Sequence, residues 1–162
     1  SLTMINKSDL AWKMVTQNTF PSYGYMIENN ATTLWESWFF SNSRFSHNHP
    51  MFSGVSSWIM THIGGIQVAK DAIGADRLIF APNPPLNSGL FSANYTLETA
   101  RGRASCKWQC LPNGAMKIEI ECPVNTRGRV VLPDGSDPFN VSGGHYHYMV
   151  SAVICQNQPS TM

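Results

Sequence analysis

The stretch Gly102–Cys122, GRASCKWQCLPNGAMKIEIEC, decides the fold of the second half of this chain. Cys106, Trp108 and Cys110 alternate with Lys107 and Gln109, and Met116, Ile118 and Ile120 alternate with Lys117, Glu119 and Glu121. A period of two sends one set of side chains into a core and the other into water, the signature of a half-buried strand. Between the runs, Pro112-Asn113-Gly114 suits a three-residue hairpin loop with the glycine in the left-handed position. This register pairs Leu111 with Ala115 and sets Cys106 opposite Ile120, which argues against a Cys106–Cys122 bridge.

Further strands flank the hairpin. Arg77 to Pro82 reads as a strand stopped by Pro82, Pro84 and Pro85, and Leu90 to Leu97 as another. Arg127 to Leu132 and His145 to Ile154 follow, with Pro133-Asp134-Gly135 as a turn. Short strands with turn signals at this spacing predict an antiparallel β-sandwich. His145 and His147 alternate with Tyr146 and Tyr148 and read as structural.

Ahead of Gly74 the period is helical. Ser8 to Gln17 carries Leu10, Ala11, Met14 and Val15 on one stripe, with Ser8 or Asp9 as cap. Phe20 to Gly24 reads as a turn. A second helix is expected from Thr32 or Thr33 to Phe40, and a polar loop from Ser41 to Asn48. A third helix runs from Pro50 or Met51 to Ile63, with Phe52, Val55, Ile59 and His62 at helical spacing and Gly64-Gly65 as its stop. The fold class is therefore α+β: helices over residues 1–74, a sandwich over 75–157 and a polar tail over 158–162. Three helices bury faces that need further helices, and the first residues read like a helix entered partway through.

The totals exclude some functions. A net charge of +1 gives no electrostatic case for nucleic acid or an anionic membrane, and no apolar run reaches the roughly 20 residues of a membrane span. Cys106, Cys110, Cys122 and Cys155 lack the spacing of a zinc knuckle and read as buried thiols or one or two disulfides. Sequons at Asn30, Asn94 and Asn140, with no signal peptide in view, leave an extracellular location open.

The chemistry concentrates between Thr19 and Phe52, which sets Glu28, Glu36, His47 and His49 among Tyr23, Tyr25, Trp35, Trp38, Phe39, Phe40 and Phe45. Only 13% of the chain is charged, against roughly 25% in an average domain, so carboxylates among so many rings point to sugar chemistry. A helix apolar almost all round would desolvate Glu36 and raise its pKa, as general acid or base work needs. Thr33-Leu34-Trp35-Glu36 equally matches a capping box, in which the glutamate merely reaches back to the N-cap amide. Glu28 is a loop carboxylate, a helix-start anion or a ligand contact. His47 and His49, two apart in extended chain, point the same way; hydrogen bonding to a polar ligand is preferred over metal, and helix capping is the plain alternative. Trp35, Trp38 and Trp58 taken singly read as core, while Tyr23 and Tyr25 are better placed to stack on a ligand.

Pro21-Ser22-Tyr23-Gly24-Tyr25-Met26-Ile27, Ala31-Thr32-Thr33-Leu34-Trp35-Glu36-Ser37-Trp38 and Ser46-His47-Asn48-His49 together resemble the C-terminal end of the bacterial-type α-L-rhamnosidases. The likeness continues through Gly64-Gly65-Ile66, the strand Leu78 to Pro82, and Pro123-Val124-Asn125-Thr126 with Val130-Val131-Leu132-Pro133, covering about Ser8 to Val153. It implies the last helices of an (α/α)6 barrel followed by a C-terminal β-sandwich, and an inverting hydrolase acting on rhamnose-containing glycosides without a cofactor. In such enzymes two carboxyl groups stand about 6.5–9.5 Å apart, one protonating the leaving oxygen and the other activating water. The resemblance lays Glu36 on the general base and His49 on a histidine that contacts the rhamnose, with Tyr23 and Trp35 as further substrate contacts and no metal. Tyr23 stands where the family usually has tryptophan, His47 where another aromatic is common, and the Ser41–Ser46 loop is short. No stretch corresponds to the general acid, so this chain alone is expected to be inactive, to need the missing N-terminal part of the barrel, and to self-associate through exposed helix faces. The alternative from another class is a non-catalytic carbohydrate-binding or structural β-sandwich module.

Overall fold

The computed structural model describes residues 2–5, 7–40, 44–85 and 88–151. Two compact units result, Ser1–Trp58 and Ile59–Met162. The chain is α+β, as expected. The end of the strand expected to run to Ile154, together with Cys155 and the tail, lies outside the described residues, as does part of the loop from Ser41.

Among its described residues the second unit holds eight strands in two sheets: β1 (Ile66–Val68), β2 (Arg77–Phe80), β3 (Ser92–Thr99), β4 (Gly102–Cys110), β5 (Met116–Cys122), β6 (Arg127–Val130), β7 (Phe139–Val141) and β8 (Gly144–Val150). One sheet has the order β1-β2-β6-β7 and the other β3-β4-β5-β8. The hairpin register is the expected one: Cys106 opposes Ile120, Trp108 opposes Ile118, and the Leu111 amide donates to the Ala115 carbonyl at 2.8 Å. Gly114 sits at φ 81°, where only glycine is unstrained. The alternation seen in the sequence becomes alternation of burial, with Ala104, Cys106, Trp108, Ile118 and Ile120 inward and Arg103, Lys107 and Lys117 outward. Fully burying a large apolar side chain contributes about 1.5–3 kcal/mol, so these inward rows dominate the unit's stability.

Three features differ from expectation. The sheets begin at Ile66, ahead of the expected boundary at residue 75, so β1 falls in the second unit. Two three-residue strands, β1 and β7, were too short to carry a period. The sandwich is not wholly antiparallel, because β2 and β6 pair in parallel with Arg77 beside Arg127 and Phe80 beside Val130. Cys106 and Cys122 are free and buried, whereas Cys110 is disulfide-bonded, so the thiols divide between the two states considered.

In the first unit, a 3-10 turn (Leu2–Ile5) precedes α1 (Ser8–Thr16) and α2 (Tyr23–Glu28). Neither Ser8 nor Asp9 caps α1: Lys7 is the N-cap, and the buried Ser8 hydroxyl donates to Thr3 Oγ1 at 3.2 Å. The stripe on α1 is not buried, with Leu10 44% and Met14 54% exposed. The segment read as a turn is in part a helix, because Ser22 accepts the Tyr25 amide at 2.9 Å and starts α2. The expected helix from Thr32 to Phe40 is absent; these residues run without regular structure. The expected helix from Pro50 to Ile63 is realised as three consecutive pieces, a 3-10 turn (Pro50–Phe52), α3 (Gly54–Trp58) and a π turn (Ile59–Ile63).

Candidate functional site

Two irregular segments, 33–36 and 44–49, run side by side, and the hydrogen bonds that a helix would have satisfied internally are made between them instead. The Glu36 amide donates to the Ser46 carbonyl at 2.9 Å, and the His49 amide donates to the Leu34 carbonyl at 2.8 Å. The Thr33 hydroxyl donates to the His47 carbonyl. The capping-box reading of Thr33 to Glu36 therefore falls: neither end of it belongs to a helix.

Glu36 takes a different role. Its Oε2 accepts the Ser46 amide at 2.9 Å, and the residue is half-buried. One carboxylate oxygen is thus anchored by main chain, while Oε1 has no partner among the described residues. A carboxylate fixed through one oxygen and open at the other can take a proton from a correctly placed water. That leaves one oxygen free, among the described residues, to act as a proton acceptor.

The neighbouring side chains divide the remaining work. His49 is the N-cap of the 3-10 turn, its Nδ1 accepting the Met51 amide at 3.1 Å. With Nδ1 used as acceptor, the neutral ring carries its proton on Nε2 and presents a donor there. The capping reading and the ligand reading of His49 are therefore compatible, one on each nitrogen. His47 does not share that orientation role: its ring stacks on Trp35, centroids 4.6 Å apart at 19°. Among the described residues no group of three His, Cys, Asp or Glu is arranged to hold a metal.

Trp35 is 2% exposed and also packs against Phe40 at 5.5 Å, so it lies beneath this surface rather than on it. Tyr23 is half-buried in the first turn of α2; its hydroxyl donates to the Phe52 carbonyl at 2.7 Å, and its ring meets Trp38 edge-on at 5.4 Å. Burial raises the Tyr23 phenol above its ordinary 10, which keeps it a neutral donor. Trp38 in turn stacks on Phe52 at 4.0 Å. Tyr25 packs edge-on against Phe20, and Glu28 ends α2 exposed. Sequence reasoning singled out Glu36 and His49 but overlooked Thr33, Ser46 and the ring of His47, which bond or pack against the segments carrying them. An open cavity of about 480 Å³ lies in the same unit, lined by apolar groups that include Met14, Val15, Tyr23, Trp38 and Trp58.

The second unit carries a polar concavity of about 220 Å³ on the outer face of β3-β4-β5-β8. Glu119 is its centre, 2.5 Å from Lys117, 3.7 Å from Lys107 and 3.8 Å from His147. His145 and His147 are both exposed on that face.

Residues 1–63 match the bacterial alpha-L-rhamnosidase 6 hairpin glycosidase domain, and residues 65–146 match the bacterial alpha-L-rhamnosidase C-terminal domain. An alpha-L-rhamnosidase of Streptomyces avermitilis is 28% identical over 175 residues, a match covering 92% of this chain and 16% of that protein. The crystal structure of an Aspergillus terreus alpha-L-rhamnosidase superposes with a TM-score of 0.84 at 31% identity, covering 94% of this chain and 18% of that one. That of the Streptomyces avermitilis enzyme complexed with L-rhamnose gives 0.80 at 27% identity, covering 93% and 17%. The chain thus spans less than a fifth of the length of each.

Proposed function

The chain belongs to the bacterial α-L-rhamnosidases, and from that membership we propose that it supplies one wall of an inverting glycosidase site that cleaves terminal α-L-rhamnosyl linkages. The observation that carries this reading is the Glu36 carboxylate, with Oε2 held by the Ser46 amide and Oε1 without a partner among the described residues. In this mechanism Glu36 removes a proton from water as that water attacks the anomeric carbon from the face opposite the leaving group. His49 donates from Nε2 to a sugar hydroxyl, Tyr23 borders the sugar, and Trp35 supports the surface from beneath. The carboxylic acid that protonates the leaving oxygen comes from the remainder of a longer polypeptide. So do the helices that complete an (α/α)6 barrel over the exposed stripe of α1.

Both proton transfers belong to one step, so the base without the acid does not turn over. The 162 residues alone are therefore inactive towards aryl rhamnosides, and the longer polypeptide is active with inversion. An extracellular location is a separate proposal, supported by the exposed sequon asparagines Asn30, Asn94 and Asn140 and a disulfide at Cys110.

The test has two arms. Hydrolysis by the longer polypeptide is followed by NMR of the first-formed anomer, with and without Glu36→Gln; retention of configuration sinks the inverting mechanism. Robust turnover by the 162 residues alone, abolished by Glu36→Gln, sinks the division of labour. The polar concavity around Glu119 favours one other reading, a carbohydrate-binding sandwich. L-Rhamnose titrated into the 162-residue chain separates them: binding lost with Glu36→Ala or His49→Ala supports the wall, and binding lost only with Lys107→Ala supports the module.

A further inference from the structure

Glu36 depends on a main-chain amide for its orientation, and that amide lies in a segment with no helix or sheet to hold it. Phe45, Ser46, His47 and Asn48 are all exposed. The side chain of Ser46 bonds locally, its hydroxyl accepting the Asn48 amide at 3.0 Å. Two main-chain bonds join the segment to 33–36, from the Glu36 amide to the Ser46 carbonyl and from the His49 amide to the Leu34 carbonyl, and two side chains besides Glu36 add to them. Thr33 donates its hydroxyl to the His47 carbonyl, and the His47 ring lies flat on buried Trp35 at 4.6 Å, with Phe40 on the same stack at 6.0 Å from His47.

We propose that Thr33 and His47 are positioning residues for Glu36, clamping the residue next to Ser46 onto Trp35 so that the Ser46 amide stays under the carboxylate. The inference rests on Glu36 being the general base. The reasoning is geometric. His47 is bonded directly to Ser46, so any slip of the stacked ring shifts the Ser46 amide. The Glu36 carboxylate would then lose the one anchor it has among the described residues and sample orientations in which Oε1 does not face the water. Misplacing a reacting group by about 1 Å can cost on the order of 10²-fold in rate. A clamp that limits such motion should be worth part of that factor. It acts on the chemical step and not on sugar binding, because the role given to both residues is to hold Glu36 and not the sugar.

The experiment uses the longer polypeptide that contains these residues, assayed for kcat and KM on an aryl rhamnoside. His47→Ala is expected to lower kcat about tenfold with KM within about twofold, whereas His47→Phe, which keeps a flat ring on Trp35, retains most of kcat. Thr33→Val, which keeps the shape and removes the hydroxyl, is expected to lower kcat severalfold, and Thr33→Ser to restore it. A merely structural role predicts losses that follow thermal stability and ignore these pairings. Glu36→Gln is run alongside. If it leaves kcat intact, the assignment of the base has failed and the clamp has nothing to position. If it abolishes turnover while His47→Ala and Thr33→Val both keep wild-type kcat, the base stands and the clamp is overturned.

Discussion

Trp108 offers the sharpest quantitative test of the sandwich. It is 0% exposed in the middle of β4, opposite Ala93 on one neighbour and Ile118 on the other. Its Nε1 donates to the carbonyl of Ile63, a residue only 3% exposed, at 2.8 Å. Trp108→Phe removes the donor and leaves a buried carbonyl unpaired, which costs about 1–3 kcal/mol. The smaller ring leaves a void; at ~24 cal/mol per Å³, roughly 40 Å³ adds about 1 kcal/mol. The sum is about 2–4 kcal/mol, and at about 4–8 °C per kcal/mol for a unit of this size the midpoint falls by roughly 8–32 °C. Urea unfolding followed by circular dichroism at a strand wavelength measures it, with an unchanged m-value showing that the same surface is exposed. A loss below about 0.5 kcal/mol at constant m would refute the idea that this indole is both core and hydrogen-bond anchor, since a typical net hydrogen bond alone exceeds that.

Two further outcomes follow from the second unit. Gly65→Ala places a Cβ 2.7 Å from the Pro82 backbone at φ 83°, where neither side can yield. A loss of roughly 2–4 kcal/mol in thermal or urea unfolding is expected, from left-handed strain plus overpacking; a neutral result would mean that the approach of these backbones is looser than described. Lys117, through its hydrogen bond, and then Lys107 and His147 hold the Glu119 carboxyl below its ordinary 4.5. A lowered folded pKa contributes stability that is present above the unfolded value and lost as pH falls through the folded one. The stability gap between wild type and Lys117→Met should therefore be small at neutral pH, since the pair is exposed to solvent, and should vanish on acidification. A gap that widens below pH 4.5 would contradict the sign.

The sandwich was legible because its information is local. Alternation around Trp108 and Ile118 sets which face is buried, and Pro112-Asn113-Gly114 sets the register. The parallel β2–β6 pair was not, because nothing in Arg77–Phe80 specifies which distant strand lies beside it. The first unit shows the same divide. The stretch Leu34 to Phe40 has composition suited to a helix, yet its backbone is taken by residues 46 and 49: Ser46 accepts the Glu36 amide, and Leu34 accepts from His49. Such bonds leave no trace in local periodicity. Helix α2 was missed for the opposite reason, since proline and glycine around Ser22 read as a turn although Ser22 is its N-cap. Glu36 and His49 were singled out through the company they keep in the sequence; the groups that hold them were not, because a stacked ring and a borrowed amide are properties of the folded chain.

The β2–β6 pairing also bears on the order in which the second unit can assemble. Arg77–Phe80 must find Arg127–Val130, and the intervening chain contains the whole of β3, β4 and β5. Those three strands close on one another through short connections and are available early, whereas the β2–β6 contact is delayed by the entropy of its long loop. During synthesis the side of β2 that β6 will occupy stays open until residue 130 has emerged. A chain halted between β5 and β6 would then present a finished three-stranded meander and an incomplete partner sheet, with one backbone edge of Arg77–Phe80 still lacking its hydrogen-bonding strand.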